Sequence, residues 1–316
     1  MTVHLDPPSR QALDRLVGRL RETLGPAAVR AAEPLAQYTT LRVGGSADLL
    51  AIALSSEALR QAVGLAWAHG IPCQVLGSGS NILVGDAGLR GLAVLNRARE
   101  VHVTGTRAWA ESGANFSALA RRCVIRGLAG LEWASGIPGT VGGAVFGNAG
   151  AWGGDVASTL VQATILEPDG STTVWPSARF EYGYRTSILK RSATRSAVVL
   201  EAEFSVRKGD KEALQARVAD ISARRRASQP RGASCGSVFR NPPGDYAGRL
   251  IEAAGLKGRN SGRAQISPVH ANFIVNLGEA TAADVKALID LARQTVQEQF
   301  GVALELEIEL LGDWGD

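Results

Sequence analysis

Residues 127–154, GLAGLEWASGIPGTVGGAVFGNAGAWGG, decide how this chain is read. Glycine stands at Gly136, Gly139, Gly142, Gly143, Gly147, Gly150, Gly153 and Gly154, with Pro138 and small residues between. A segment so poor in side chains is expected not to build a packed core helix. Its use is close approach, because glycine permits positive φ and removes Cβ from the contact surface. Backbone N–H groups presented this way suit phosphate and other anionic groups. A shorter loop, Leu76-Gly77-Ser78-Gly79-Ser80-Asn81, follows the apolar run 71–76. Its spacing is neither GxGxxG nor GxxxxGK[ST], which sets aside the Rossmann and P-loop readings. One such loop is explained as a tight turn. Two together point to an extended ligand of dinucleotide size.

The rest of the composition narrows the class. A chain of 316 residues is long enough for two or three domains. The net charge of +4 suits anionic small molecules and does not by itself argue for nucleic acid. The start, MTVHLDPPSR, has no apolar leader core, and no stretch reaches the roughly 18 apolar residues of a membrane span. Cys73, Cys123 and Cys235 are widely spaced, with no CxxC and no histidine cluster, so neither a disulfide framework nor a metal site is expected. The reading is a cytoplasmic protein.

Leu13, Leu16, Val17, Leu20 and Leu24 predict an amphipathic helix over 9–24, closed by Gly25-Pro26. A second helix runs from Ser55 or Ser56 to about Ala68, and the apolar run 71–76 reads as a buried strand. Short strands are expected at 92–95, 101–104 and 109–112, and a helix over 116–126. Residues 160–175 form a hairpin around Pro168-Asp169-Gly170, and 198–206 alternates as a strand. Composition shifts near Lys208, where a charged helix over 210–228 begins and a domain boundary is expected. Thr281 and Asp284 start a helix that ends at Phe300, with Gly301 beyond it. A last strand is expected over 302–311, with Glu305, Glu307 and Glu309 on one face. Short strands alternating with helices argue for α+β.

Several groups of residues carry chemistry. In Tyr182-Gly183-Tyr184-Arg185-Thr186-Ser187, Arg185 either grips a carboxylate or carbonyl or is a solvated arginine beside a tyrosine. In Ser234-Cys235-Gly236-Ser237, either Ser237 or Cys235 is a nucleophile or proton donor, or the segment is a polar turn. No histidine lies near it in sequence, and Cys235 reads as packing. The three glutamates are a solvated face, or the middle one is an acid raised by its like-charged neighbours. Arg224-Arg225-Arg226 reads as a solvated helix end, with a nucleic-acid patch or contact with an anionic substrate as the alternatives.

Taken in order, TTLRVGGSAD (39–48), LGSGSNILV (76–84), GLEWASGIPGTVGGAVFGNAGAWGG (130–154), YGYRTS (182–187), CGSVFRNP (235–242), ISPVHANFIVN (266–276) and LELEIELLG (304–312) resemble the UDP-N-acetylenolpyruvoylglucosamine reductases. Because YGYRTS is followed closely by VVLEAEF, the chain resembles the shorter subtype of that family.

The resemblance implies an α+β protein: a two-subdomain FAD-binding region of the vanillyl-alcohol-oxidase type, over 1–95 and 96–208, and a C-terminal α+β substrate domain over 209–316. It implies non-covalent FAD, NADPH as co-substrate and reduction of UDP-N-acetylglucosamine enolpyruvate, by a monomer without nucleic-acid or membrane partners. Carried over by motif, Arg185 and Glu307 stabilise the enolate and Ser237 gives the proton. Gly77, Ser78, Gly79, Ser80, Asn81 and Ile82 form one side of the FAD cradle. Gly136, Ile137, Gly139, Thr140, Gly142, Gly143, Ala144 and Asn148 form the other. Tyr184, Arg240 and Asn241 are the implied substrate contacts. The competing readings are a flavin oxidase on the same fold and a non-catalytic flavin- or sugar-nucleotide-binding protein.

Overall fold

Helix Arg10–Leu24 starts at Ser9, whose hydroxyl accepts the Ala12 N–H, and stops at Gly25 with φ 89°. Its Leu16 and Leu20 are buried with Leu59, Ala62, Val63 and Ala66 of helix Ser56–Ala68, as the spacing of the leucines predicts. In this computed structural model, which describes residues 8–192 and 197–314, the chain forms two compact units. One contains residues up to 31, 49–77 and 91–225; the other contains 32–48, 78–90 and those from 226 on. The initial MTVHLDP, read above for a leader, lies outside the described residues.

The first unit holds a five-stranded antiparallel sheet in the order Thr172–Pro176, Leu160–Leu166, Val198–Ser205, Arg107–Glu111, Val101–Thr104. The predicted hairpin is its edge, with Ala163 opposite Trp175. Strand Cys73–Leu76 runs parallel to Leu92–Leu95, which aims the chain into the first glycine loop. The glycine-rich segment departs from expectation. It contains a helix, Val141–Gly147, whose Val141, Ala144 and Val145 are buried in the core. Side-chain poverty did not prevent core packing, because these three residues share one face of the helix. Several of the glycines also face protein: a Cβ on Gly154 would lie 2.5 Å from Trp133 Cγ, and one on Gly142 2.9 Å from Ser112 Cβ.

The second unit is a four-stranded sheet, Ala233–Ser237, Phe273–Asn276, Ala264–Ile266, Asn260–Ser261, packed with helices Ala247–Ala253 and Ala282–Phe300. Thr281 and Asp284 form the expected capping box, and Gly301 closes that helix at φ 67°. Asp86 adds two acceptors to the same terminus, from Ala282 N at 2.8 Å and Ala283 N at 2.9 Å. The expected last strand is much shorter, Glu309–Leu311, paired in parallel with Ile82–Val84. Upstream, Leu304 and Ile308 are buried and Leu306 packs against the same core, so the alternation persists, but the pairing there is reduced to an isolated bridge between Phe239 and Leu306. Among the described residues no helix is long and apolar enough to cross a membrane.

Candidate active site

In the first unit the Arg185 segment is fixed to helix Val141–Gly147 by three side-chain hydrogen bonds. Tyr182 Oη donates to Val145 O at 3.0 Å, Ser187 Oγ to Phe146 O at 2.6 Å, and Asn148 Nδ2 to Gly183 O at 2.9 Å. The first two satisfy carbonyls that a helix end leaves without partners. Burial, with Asp155 nearby, pushes the Tyr182 phenol up, so it stays a donor. Gly183 and Thr186 exchange N–H···O bonds of 3.1 and 3.2 Å, forcing a tight turn between them. Arg185 sits on that turn at φ 55°, a conformation that costs a non-glycine residue about 1–3 kcal/mol. Its guanidinium carbon is 5.4 Å from the Tyr184 ring centroid. A Cβ on Gly150 would be 3.1 Å from Arg185 Nη1, so that glycine makes room for the guanidinium.

The same helix forms the glycine surface. Gly143 and Gly147 stand four apart on one face; a Cβ on Gly147 meets nothing within 4 Å, and one on Gly143 only Thr140 Oγ1 at 3.6 Å. The backbone donors here are spent: Val141 N on Ala114 O, Gly142 N on Ser112 O, and Gly143 N on Thr140 Oγ1. This helix therefore offers a flat surface free of side chains, and not the N–H nest expected for the segment. Asn148 is occupied by protein too, its Nδ2 on Gly183 O and Asp155 Oδ2 and its Oδ1 accepting from Ala157 N. Gly136 and Gly139 take φ 85° and 133°. A Cβ on Gly136 would be 3.1 Å from Arg225 Cδ, so Arg225, read as a solvated helix end, is half-buried over this loop. A Cβ on Gly77 would be 2.6 Å from Thr140 Oγ1, a close approach that only glycine allows.

In the second unit four short segments converge. Thr40 N donates to Gly79 O at 3.0 Å and Thr40 Oγ1 to Ser234 O at 2.7 Å, tying the first glycine loop to the serine turn. Among the described residues the backbone N–H groups of Ser78, Gly79 and Asn81 meet no protein acceptor. Asn81 Nδ2 donates to Glu307 O at 3.1 Å, and Glu309 N to Asn81 O at 2.9 Å. Ile82 starts the strand paired with Glu309–Leu311. Ser237 ends strand Ala233–Ser237 just after an irregularity at Cys235-Gly236, where Gly236 takes φ 79°. Glu307 N donates to Val238 O at 2.8 Å, which sets the Glu307 and Ser237 backbones side by side. Arg240 Nη1 lies 3.5 Å from Glu305 Oε2, and Asn241 Oδ1 accepts the Ala247 N–H at 3.1 Å, capping a helix.

Ser237 lines a cavity of about 400 Å³ together with Asn241, Tyr246, Arg249, His270 and Asn272. His270 Nδ1 accepts the Asn272 N–H at 3.2 Å, which leaves the proton of the neutral ring on Nε2. Burial, with Lys257 nearby, lowers the His270 pKa. Cys235 is buried, and burial pushes its thiol up to about 12, so it is not a thiolate near neutral pH.

A family model described as the C-terminal domain of UDP-N-acetylenolpyruvoylglucosamine reductase matches residues 229–311, and one described as an FAD binding domain matches 47–174. The UDP-N-acetylenolpyruvoylglucosamine reductase of Chloroflexus aggregans is 46% identical over 298 residues, covering 92% of this chain and 100% of that protein. This chain belongs to the UDP-N-acetylenolpyruvoylglucosamine reductase family. The Rubrobacter xylanophilus reductase is also 46% identical, over 89% of this chain and 94% of its own length. The crystal structure of the Thermus caldophilus reductase superposes with a TM-score of 0.76 at 37% identity, covering 89% of this chain and 97% of that one. Membership makes the chain an FAD-dependent oxidoreductase, a UDP-N-acetylmuramate dehydrogenase of peptidoglycan synthesis, with the expected α+β architecture.

The residues present fit FAD. In the first unit the open Gly143–Gly147 face leaves room for a planar group. In the second unit the N–H groups of Ser78, Gly79 and Asn81 are donors of the kind a pyrophosphate needs. Sequence reading missed His270, Asn272, Tyr246 and Arg249 as site residues. His270 and Asn272 stand in the quoted motif 266–276, with nothing in their spacing to mark a cavity wall.

Proposed function

We propose that the chain reduces UDP-N-acetylglucosamine enolpyruvate to UDP-N-acetylmuramate, with Ser237 as the proton donor. Bound FAD supplies the hydride, taken from NADPH, to the terminal carbon of the enol ether. Addition there leaves carbanion character on the α carbon beside the carboxylate. Arg185 and Glu307 stabilise the enolate, and the Ser237 hydroxyl gives its proton to the α carbon. The carrying observation is that Ser237 opens on a cavity while the neighbouring Cys235 thiol is sealed in the core. Tyr184, Arg240 and Asn241 are assigned to the substrate, with Asn241 acting through the helix it caps.

In this reading residues 1–95 and 96–208 serve the flavin and 209–316 the substrate. The enzyme works in the cytoplasm, where NADPH and nucleotide sugars are supplied, as a monomer. The test is anaerobic spectroscopy of the holoenzyme. NADPH should bleach the bound-flavin band, and UDP-N-acetylglucosamine enolpyruvate should restore it with formation of UDP-N-acetylmuramate. Bleaching without recovery would contradict the substrate assignment.

A further inference from the structure

The backbone beyond Ser237 is held by a side chain where a strand partner would ordinarily stand. Strand Ala233–Ser237 pairs with Phe273–Asn276, with its register broken between Ser234 and Ser237. Past Ser237 the partner is Asn272. Its carbonyl accepts the Val238 N–H at 2.8 Å, its Oδ1 accepts the Phe239 N–H at 2.9 Å, and its Nδ2 donates to Phe239 O at 2.8 Å. A carboxamide presents the same donor and acceptor as a peptide group, so Asn272 closes a two-bond ring with Phe239 as a strand residue would. Asn272 is only 4% exposed, and it lines the cavity that Ser237 also lines. Val238 O is taken up by Glu307 N at 2.8 Å. The dipeptide after Ser237 is thereby clamped between Asn272 and Glu307.

We infer that Asn272 is the positioning residue for the Ser237 hydroxyl, an inference that rests on Ser237 being the proton donor. A reacting group displaced by about 1 Å loses on the order of 10²-fold in rate, so a clamp of this kind has a kinetic consequence. Asn272→Asp keeps the shape and the acceptor but sets a carboxylate oxygen against Phe239 O, which then has lost its donor.

The test uses anaerobic stopped flow on the flavin-loaded enzyme, with Asn272→Asp, Ser237→Ala and the double variant. Asn272→Asp should slow flavin reoxidation by the enolpyruvyl substrate about 10- to 100-fold. Bleaching by NADPH, and substrate affinity read from the flavin spectral shift, should stay at parental values. In the Ser237→Ala background the same change should add nothing, because the clamp then has no hydroxyl to position. Equal slowing in both backgrounds, or a loss of substrate affinity that accounts for the slower turnover, overturns the inference. Ser237→Ala that reoxidises at the parental rate marks the separate failure of the donor assignment. Asn272→Ala is read if the aspartate variant does not yield flavin-loaded protein. Failure of both to do so also overturns the inference, since the amide would then be supporting the fold.

Discussion

Glu307 gives its backbone N–H to the carbonyl of Val238 across 2.8 Å. Two of the three groups assigned to the substrate half-reaction, the Ser237 hydroxyl and the Glu307 carboxyl, therefore hang from neighbouring backbones. Asn81, from the first glycine loop, braces the same segment through Glu307 O. A change in the carboxyl alone should leave that backbone arrangement intact.

The three glutamates are separated by this geometry. Glu305 has a side chain 76% exposed, facing Arg240, and Glu309 lies in the short strand beside Ile82. Glu305→Gln and Glu309→Gln should leave substrate-driven reoxidation within about threefold of parental. Glu307→Gln should slow it about 10²-fold or more, the cost of removing a positioned acid–base group. Equal, small effects at all three positions would return Glu307 to a structural role.

Arg185→Lys should fold and bind FAD normally, because Tyr182, Ser187 and Asn148 hold the turn without using the guanidinium. Lysine brings a point charge in place of a planar fork. Reoxidation should fall about 10²-fold, the scale for losing one donor to a developing oxyanion. Near-parental reoxidation would leave Arg185 as a solvated arginine on a strained turn.

Two glycine-to-valine changes should separate cofactor surface from backbone packing. A Cβ on Gly143 points into open space apart from Thr140 Oγ1 at 3.6 Å. Gly143→Val should keep the apoprotein folded and lower flavin occupancy, as flavin absorbance per chain would report. A Cβ on Gly79 runs into Tyr38 O and comes within 2.7 Å of Thr39 Cα, at φ 64°. Gly79→Val should lower the melting temperature of the apoprotein itself. If both variants lose flavin with unchanged apoprotein melting, the distinction is wrong.

His270 gives a pH dependence of defined sign. Its pKa is lowered chiefly by burial, then by Lys257, against a smaller opposing effect of Glu252. The unfolded chain therefore takes up the proton first as pH falls. The stabilising contribution of neutral His270 is complete above about 6.5, the unfolded value, and is lost as pH drops through the lowered folded value. Protonation of Nδ1 also removes the acceptor for Asn272 N. Melting temperature should fall between pH 7.5 and 5, and His270→Gln should flatten that slope. Identical slopes would contradict the assignment.

The sequence was legible where local chemistry decides structure. Leucine spacing marked helix Arg10–Leu24, and Thr281 with Asp284 marked the start of helix Ala282–Phe300. It misled where tertiary packing decides. Gly142 and Gly154 look like ligand contacts until Ser112 and Trp133 are seen against them. The alternation over 302–311 suggested a long strand, but the upstream part has only an isolated bridge, Phe239 with Leu306, and no extended partner. For the candidate site, motif order singled out Arg185, Ser237 and Glu307, the residues to which the chemistry is assigned as a proposal. Asn272 and His270 escaped because their roles come from contacts with Phe239 and a cavity wall, and no spacing in the sequence records those.

The most direct test of the account is the rate of flavin reoxidation in Ser237→Ala. NADPH bleaches the flavin without needing a proton at the substrate carbon, so that half-reaction should remain near parental. Reoxidation by UDP-N-acetylglucosamine enolpyruvate should fall by about 10²–10⁴-fold, the range for removing a positioned acid. Cys235→Ala is the control and should reoxidise at the parental rate, because its buried thiol is held up to about 12. Parental reoxidation in Ser237→Ala together with a slow Cys235→Ala would contradict the account and move the proton donor two residues back along the same strand.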